Sequence, residues 1–123
     1  MTKEINSLVL AYLGDTIYED YIREYLIKKG IGSIKELQEA SMDYVSAKSQ
    51  ARILEELINK NVFNDEELDI IKRARNNNSK HHPKSCDVIT DRKATGLEAL
   101  IGYLKLESNK ERIDEIMNII LSN

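Results

Sequence analysis

An all-α single domain is the fold class this sequence predicts, and three observations carry that prediction. Val, Ile and Thr never alternate with polar residues over a convincing span, so half-buried strands are absent. Two stretches are apolar nearly all round. One covers residues 8–13 and resumes at Thr16-Ile17-Tyr18; the other is ATGLEALIGYL, residues 94–104. Helix-start signals recur along the rest of the chain, and 123 residues suffice to bury a core without staples.

A first helix is expected over residues 5–29, where Lys28 and Lys29 suit the C-terminal dipole and Gly30 the position just past the end. Ser33-Ile34-Lys35-Glu36 is a capping box that opens a second helix, reaching about residue 40. Asp43 reads as the cap of a third, through about residue 59, with Val45, Ala47, Ala51, Leu54, Leu57 and Ile58 on its apolar side. Asn64-Asp65-Glu66-Glu67 is another capping box, and its helix ends near Arg75. Residues 76–89, with the only proline and three consecutive asparagines, form the one long irregular segment; such loops are usually functional or disordered. A fifth helix is expected over 90–106 and a sixth over 110–121, the latter apolar at Ile113, Ile116, Met117, Ile120 and Leu121. No repeat or linker divides residues 1–123, and no room is expected for an appended nucleic-acid-binding module.

The single cysteine, Cys86, precludes an intramolecular disulfide, and no paired Cys/His spacing suggests zinc. With no membrane-length apolar run and no signal-peptide pattern, a cytoplasmic protein without a membrane partner is expected. The net charge of -3 is unevenly spread. Between Lys72 and Lys93 seven basic residues face two acids, a net of +5, which leaves -8 for the remainder. Clustered positive charge matters more to a polyanion than the total does. A solvated basic loop gives the same pattern.

Asp15 interrupts the first apolar stretch and Glu98 the second. An acid on such a helix would face the core or a cleft, where it is costly unless paired, hydrogen-bonded or metal-bound. Core helices of a small bundle usually touch. One Asp and one Glu, with waters completing the shell, are what Mg²⁺ accepts from protein, and Mn²⁺ can substitute. Such an ion polarises a phosphoryl oxygen and activates water. The plainer alternative is that each acid is neutralised locally. Glu19, one turn beyond Asp15, reads as a surface acid. Gly96 and Gly102 flank Glu98 at a cost of up to about 1 kcal/mol each relative to Ala. That suggests close approach of another backbone, such as the first helix; ordinary core packing would look the same.

Candidate phosphate contacts are Lys72, Arg73, Arg75 and Asn76 at a helix end, Lys80 and Lys84 on the loop, and Arg92 and Lys93, helped by Lys48 and Arg52. His81 and His82 read as exposed loop residues and Cys86 as an idle thiol. The aromatics are nearly all tyrosines on helices, so no stacking platform favours single strands; duplex recognition by shape and backbone fits better. Neither a nucleophilic triad nor a phosphate or dinucleotide glycine loop is present.

LAYLGDTIYE resembles the signature helix of the ribonuclease III catalytic domain, and TGLEALIGYL resembles that family's second acidic motif. Tyr44-Val45-Ser46-Ala47-Lys48-Ser49-Gln50-Ala51 and Arg73-Ala74-Arg75-Asn76, without a double-stranded-RNA-binding domain, narrow the resemblance to the mini-ribonuclease III family. The resemblance covers nearly the whole chain. It implies a ribonuclease III-like helical bundle, dimeric through the signature helix, that cuts double-stranded or structured RNA with Mg²⁺ and leaves 5′-phosphate and 3′-hydroxyl ends. It further implies maturation of precursor 23S ribosomal RNA with the help of a ribosomal protein. By position, Asp15 and Glu98 are the metal-linked catalytic acids. Full-length ribonuclease III has further acids where this chain has Leu8, Ala11 and Thr95, and the mini family shares that thinner shell. Asp91 stands where the mini family leads one to expect an aromatic. The rival expectations are an all-α Mg²⁺-dependent nucleotide pyrophosphohydrolase and a non-catalytic RNA-binding module.

Overall fold

Asn6 opens the first long helix, α1 (Ser7–Lys28), by accepting the Leu8 amide on its side chain; a 3-10 turn, Thr2–Glu4, precedes it. The helix closes as expected. Gly30 takes a positive φ of 96°, and the Gly30 and Ile31 amides return to the Ile27 and Leu26 carbonyls. The computed structural model describes residues 1–77 and 87–122. Lys80, His81, His82, Lys84 and Cys86 lie outside the described residues.

The expected break at residues 40–43 is not there. Helix α2 (Ile34–Val45), capped by Ser33, runs through Asp43, and the chain turns only at Ser46, whose side chain caps α3 (Ala47–Asn59). The reason lies outside the local sequence. The last four carbonyls of α2 are taken by side chains: Ser49 Oγ donates to Met42 O, Arg52 to Asp43 O, Tyr18 to Tyr44 O and Gln50 to Val45 O. With its orphan acceptors satisfied, the helix extends to Val45.

Helix α4 (Asp65–Arg75) begins at the expected Asn64–Glu67 capping box. Helix α5 (Val88–Leu106) starts two residues earlier than expected because the Asp87 side chain caps it, accepting the Thr90 amide at 2.7 Å. Helix α6 (Lys110–Leu121) follows, capped by Asn109. The described residues hold no strand, and none of their helices is long and apolar enough to cross a membrane.

Helix α5 is the axis of the bundle. Ala94, Leu97, Ala99, Leu100, Ile101, Tyr103 and Leu104 are all buried, with α1, α3 and α4 packed round them. The closest approach is to α1. A Cβ on Gly14 would lie 1.7 Å from the Glu98 carbonyl oxygen, and one on Gly102 would lie 1.9 Å from that of Leu10. Gly102 therefore does receive the first helix. Gly96 does not: it faces the Arg75 and Ile71 side chains of α4.

Helix α1 is not buried all round. Leu10, Ala11, Gly14, Tyr18, Ile22 and Leu26 face the core, while Leu8, Val9 and Tyr12 stay outside, Val9 56% and Tyr12 83% exposed. Elsewhere in the core Glu67, 3% exposed, completes its capping box and also accepts Arg112 Nε and Nη2 at 2.8 and 2.9 Å. Arg112 Nη2 further reaches the Val62 carbonyl at 2.7 Å.

Two stability predictions follow from this packing. Gly102→Ala should cost about 3 kcal/mol or more in denaturant unfolding, since backbone cannot yield as a side chain would. Gly32→Ala, with open space around it, should change stability by less than about 0.5 kcal/mol. Equal effects would refute the close crossing. Arg112→Met should cost about 3 kcal/mol by leaving Glu67 buried and uncompensated, and Glu67→Gln in the same chain should recover part of it; a neutral Arg112→Met would contradict this.

Candidate active site

The α1–α5 contact decides where the two acids go. Gly14 touches the carbonyl of Glu98 itself, and Asp15 is the residue after Gly14, so both acids sit at the point of closest approach. They are not an equally buried pair, as the apolar sequence context led one to expect. Asp15 is exposed and Glu98 half-buried. A helix turns about 100° per residue, so placing Gly14 against α5 swings Asp15 to the rim of the crossing.

Glu98 is the perturbed member. Its carboxyl is pushed up to about 8, first by burial, then by the hydrogen bond and charge it meets at Asp15, with the charge of Asp91 adding to the rise. Gln50, donating Nε2 to Glu98 Oε2 at 3.4 Å, acts the other way. Neither Asp15 nor Glu98 forms an ion pair among the described residues. Local neutralisation, the plain alternative for two isolated acids, is therefore not what the described residues provide. Thr95, three residues before Glu98, spends its hydroxyl on the Asp91 carbonyl at 2.9 Å. Of the two other positions where full-length ribonuclease III has acids, Ala11 is buried and Leu8 points outward. Glu19, read as a surface acid, pairs with Arg23 at 3.5 Å.

The candidate phosphate contacts do not form one uniform patch. Lys48 and Lys72 are exposed, with no ion pair among the described residues; Asn76 caps α4 and is exposed. Arg52 is exposed but paired with Glu56 at 3.1 Å, and Lys93 with Glu55 at 3.0 Å. Arg73 donates to the Lys3 carbonyl and lies 4.0 Å from Asp69. Arg75 is half-buried against Gly96, and Arg92 is half-buried with its Nε unpartnered. Sequence reasoning missed Gln50, which lies within a motif quoted for other reasons and faces Glu98 only through the tertiary fold.

This crossing of two acid-bearing helices matches a known class. The model of the ribonuclease III domain matches residues 8–109, and the chain belongs to that family of endoribonucleases. More narrowly, it is similar to Mini-ribonuclease 3 of Staphylococcus aureus, 44% identical over 120 residues that cover 98% of this chain and 90% of that protein. Mini-ribonuclease 3 of Enterococcus faecalis is 44% identical over 116 residues, covering 94% and 88%. The X-ray structure of protein FN1578 from Fusobacterium nucleatum superposes with a TM-score of 0.87 at 38% identity, covering 98% of this chain and 96% of that one. Membership sets aside the pyrophosphohydrolase and the non-catalytic module.

The raised Glu98 carboxyl predicts a pH signature. Its folded form holds a proton more tightly than the unfolded chain, whose value is the ordinary 4.5. Its contribution to stability is thus complete below about 4.5 and is lost as pH rises through about 8. With divalent ions chelated, Glu98→Gln should gain in melting temperature relative to the wild type as pH rises from about 5 to about 8.5. Parallel melting curves for the two proteins would contradict the shift.

Proposed function

We propose that this endoribonuclease cuts double-stranded or structured RNA using Mg²⁺, or Mn²⁺ in its place, held by Asp15 and Glu98. What carries the proposal is the meeting of these two carboxyls at the α1–α5 crossing, one at the solvent rim and one held protonated by burial and by its neighbour. The donor set fits the ion. Mg²⁺ takes one or two carboxylates and fills its other positions with water and substrate phosphate. No group of three or more His, Cys, Asp or Glu competes as a metal site among the described residues. When bound, the ion would polarise the scissile phosphate and make water a competent nucleophile at neutral pH.

Glu98 must give up its proton for the ion to bind, so binding is expected to tighten as pH approaches 8. Asp15, at the rim, stands where substrate phosphate can reach it. In the hydrolysis, water oxygen bonds to phosphorus, the bond from phosphorus to the 3′ oxygen breaks, and that oxygen takes a proton. The ends are a 5′-phosphate and a 3′-hydroxyl. Lys48, Lys72 and Asn76 are the freest of the phosphate contacts, with Arg52, Arg73, Arg75, Arg92 and Lys93 supplementing them; Lys80 and Lys84, candidates from the sequence, lie outside the described residues.

A homodimer follows from the same helix. Leu8, Val9 and Tyr12 make an exposed apolar strip beside Asp15, and a second copy would cover it, placing two sites on one duplex. Residues 1–123 are taken as one catalytic domain of a cytoplasmic protein. The relatives' shared name, Mini-ribonuclease 3, supports a ribonuclease; precursor 23S ribosomal RNA as substrate, with a ribosomal protein as helper, rests on the resemblance alone.

Asp15→Asn and Glu98→Gln should each lower the cleavage rate by on the order of 100-fold or more, beyond the usual loss for groups that merely support a ligand. Gel-shift affinity for the RNA should survive. Structured ribosomal RNA, end-labelled and incubated with and without Mg²⁺, is the assay; wild-type rates in either variant would overturn the assignment.

A further inference from the structure

We propose that Gln50 is a positioning residue for Glu98, whose buried amide sets the orientation in which that carboxyl faces Asp15. The inference rests on the reading that Glu98 holds the ion. Gln50 is 1% exposed on the first turns of α3. Its Nε2 lies 3.3 Å from the Val45 carbonyl and 3.4 Å from Glu98 Oε2. The Val45 carbonyl can only accept, which fixes the amide: the flipped form would set its own oxygen against that carbonyl.

The two ends of this amide are treated unequally. Nε2 bridges the end of α2 to Glu98, whereas Oε1 is buried with no hydrogen-bond partner among the described residues. An orphaned buried acceptor is destabilising, and both bonds on the donor side are long. Leucine or methionine would fill similar space without that cost. The Val45 bond serves the end of α2, but the second bond of Nε2 does nothing for that helix and is accounted for by contact with Glu98. A neutral amide suits the task. A lysine or arginine at this distance would orient the carboxylate but also neutralise it, in competition with a divalent cation; the amide orients it and leaves the charge available. Fully enclosed, Gln50 cannot touch RNA, so it acts only through Glu98.

Gln50→Leu and Gln50→Met in the full chain test this. Each should lower kcat about 10- to 100-fold and raise the Mg²⁺ concentration needed for half-maximal cleavage. KM for RNA should stay within about twofold, the mark of a group that acts on the chemical step. Melting temperature should stay close to that of the wild type, because losing the Val45 bond and removing the unpartnered oxygen act in opposite directions. Wild-type kcat in either folded variant would overturn the proposal, as would a raised KM at unchanged kcat. So would a loss of kcat that follows a fall in melting temperature, or failure of both variants to fold, since each would make Gln50 a purely structural residue. Glu98→Gln, assayed beside them, separates the two levels. Full activity there ends the metal reading itself, whereas an inactive Glu98→Gln beside a fully active Gln50→Leu ends only the proposal for Gln50.

Discussion

Two glycines, Gly14 on α1 and Gly102 on α5, let two helix backbones touch, and the remaining features of the site are set by that contact. Each glycine lies against the carbonyl of the residue four positions before the other: Gly14 on Glu98, Gly102 on Leu10. A methyl group at either position would overlap a carbonyl oxygen, so no other residue type fits without separating the helices. Because the contact falls at residues 14 and 98, the short side chains of Asp15 and Glu98 can meet without long linkers or loop-borne ligands. Sites carried on rigid helices hold their geometry better than sites on loops.

Charge is divided between the crossing and its surroundings. The crossing is acidic: Asp15 and, earlier on α5, Asp91 both raise the carboxyl of Glu98. Two of the candidate cations are already engaged elsewhere: Arg52 with Glu56 and Lys93 with Glu55. Exposed pairs of that kind contribute at most about 1 kcal/mol, so a phosphate backbone can exchange them at little cost. The Glu67–Arg112 pair is different in kind. Buried and multiply hydrogen-bonded, it ties α4 to α6 and has no freedom to exchange. One type of ion pair therefore suits recognition and the other serves only the fold.

Much of the architecture is local, which is why it could be read from the chain. The Asn64–Glu67 box, the Ser33 cap and the Gly30 terminus depend on residues within one turn of each other and form as expected, although at Ser33–Glu36 only the Ser33 half of the box is made, its hydroxyl accepting the Glu36 amide. The α2–α3 boundary was misplaced for the opposite reason. Asp43 has the chemistry of a cap, yet four side chains from α1 and α3 satisfy the carbonyls beyond residue 41 and carry the helix on to Val45. Gly96 and Gly102 looked alike in sequence, and only the packing partner separates them: side chains of α4 for one, the backbone of α1 for the other.

By itself the sequence determined the helices, most of their caps, the apolar character of α1 and α5, and the two acids as the residues to watch. Tertiary structure alone decided that Asp15 lies at the rim while Glu98 is drawn inward, that Gln50 reaches Glu98 across 48 positions, and that Arg112 reaches Glu67 across 45. The physical reason is range. Periodicity and capping are written in neighbours within a turn or two, whereas burial and the partner of a polar atom depend on which distant helix lies across from it.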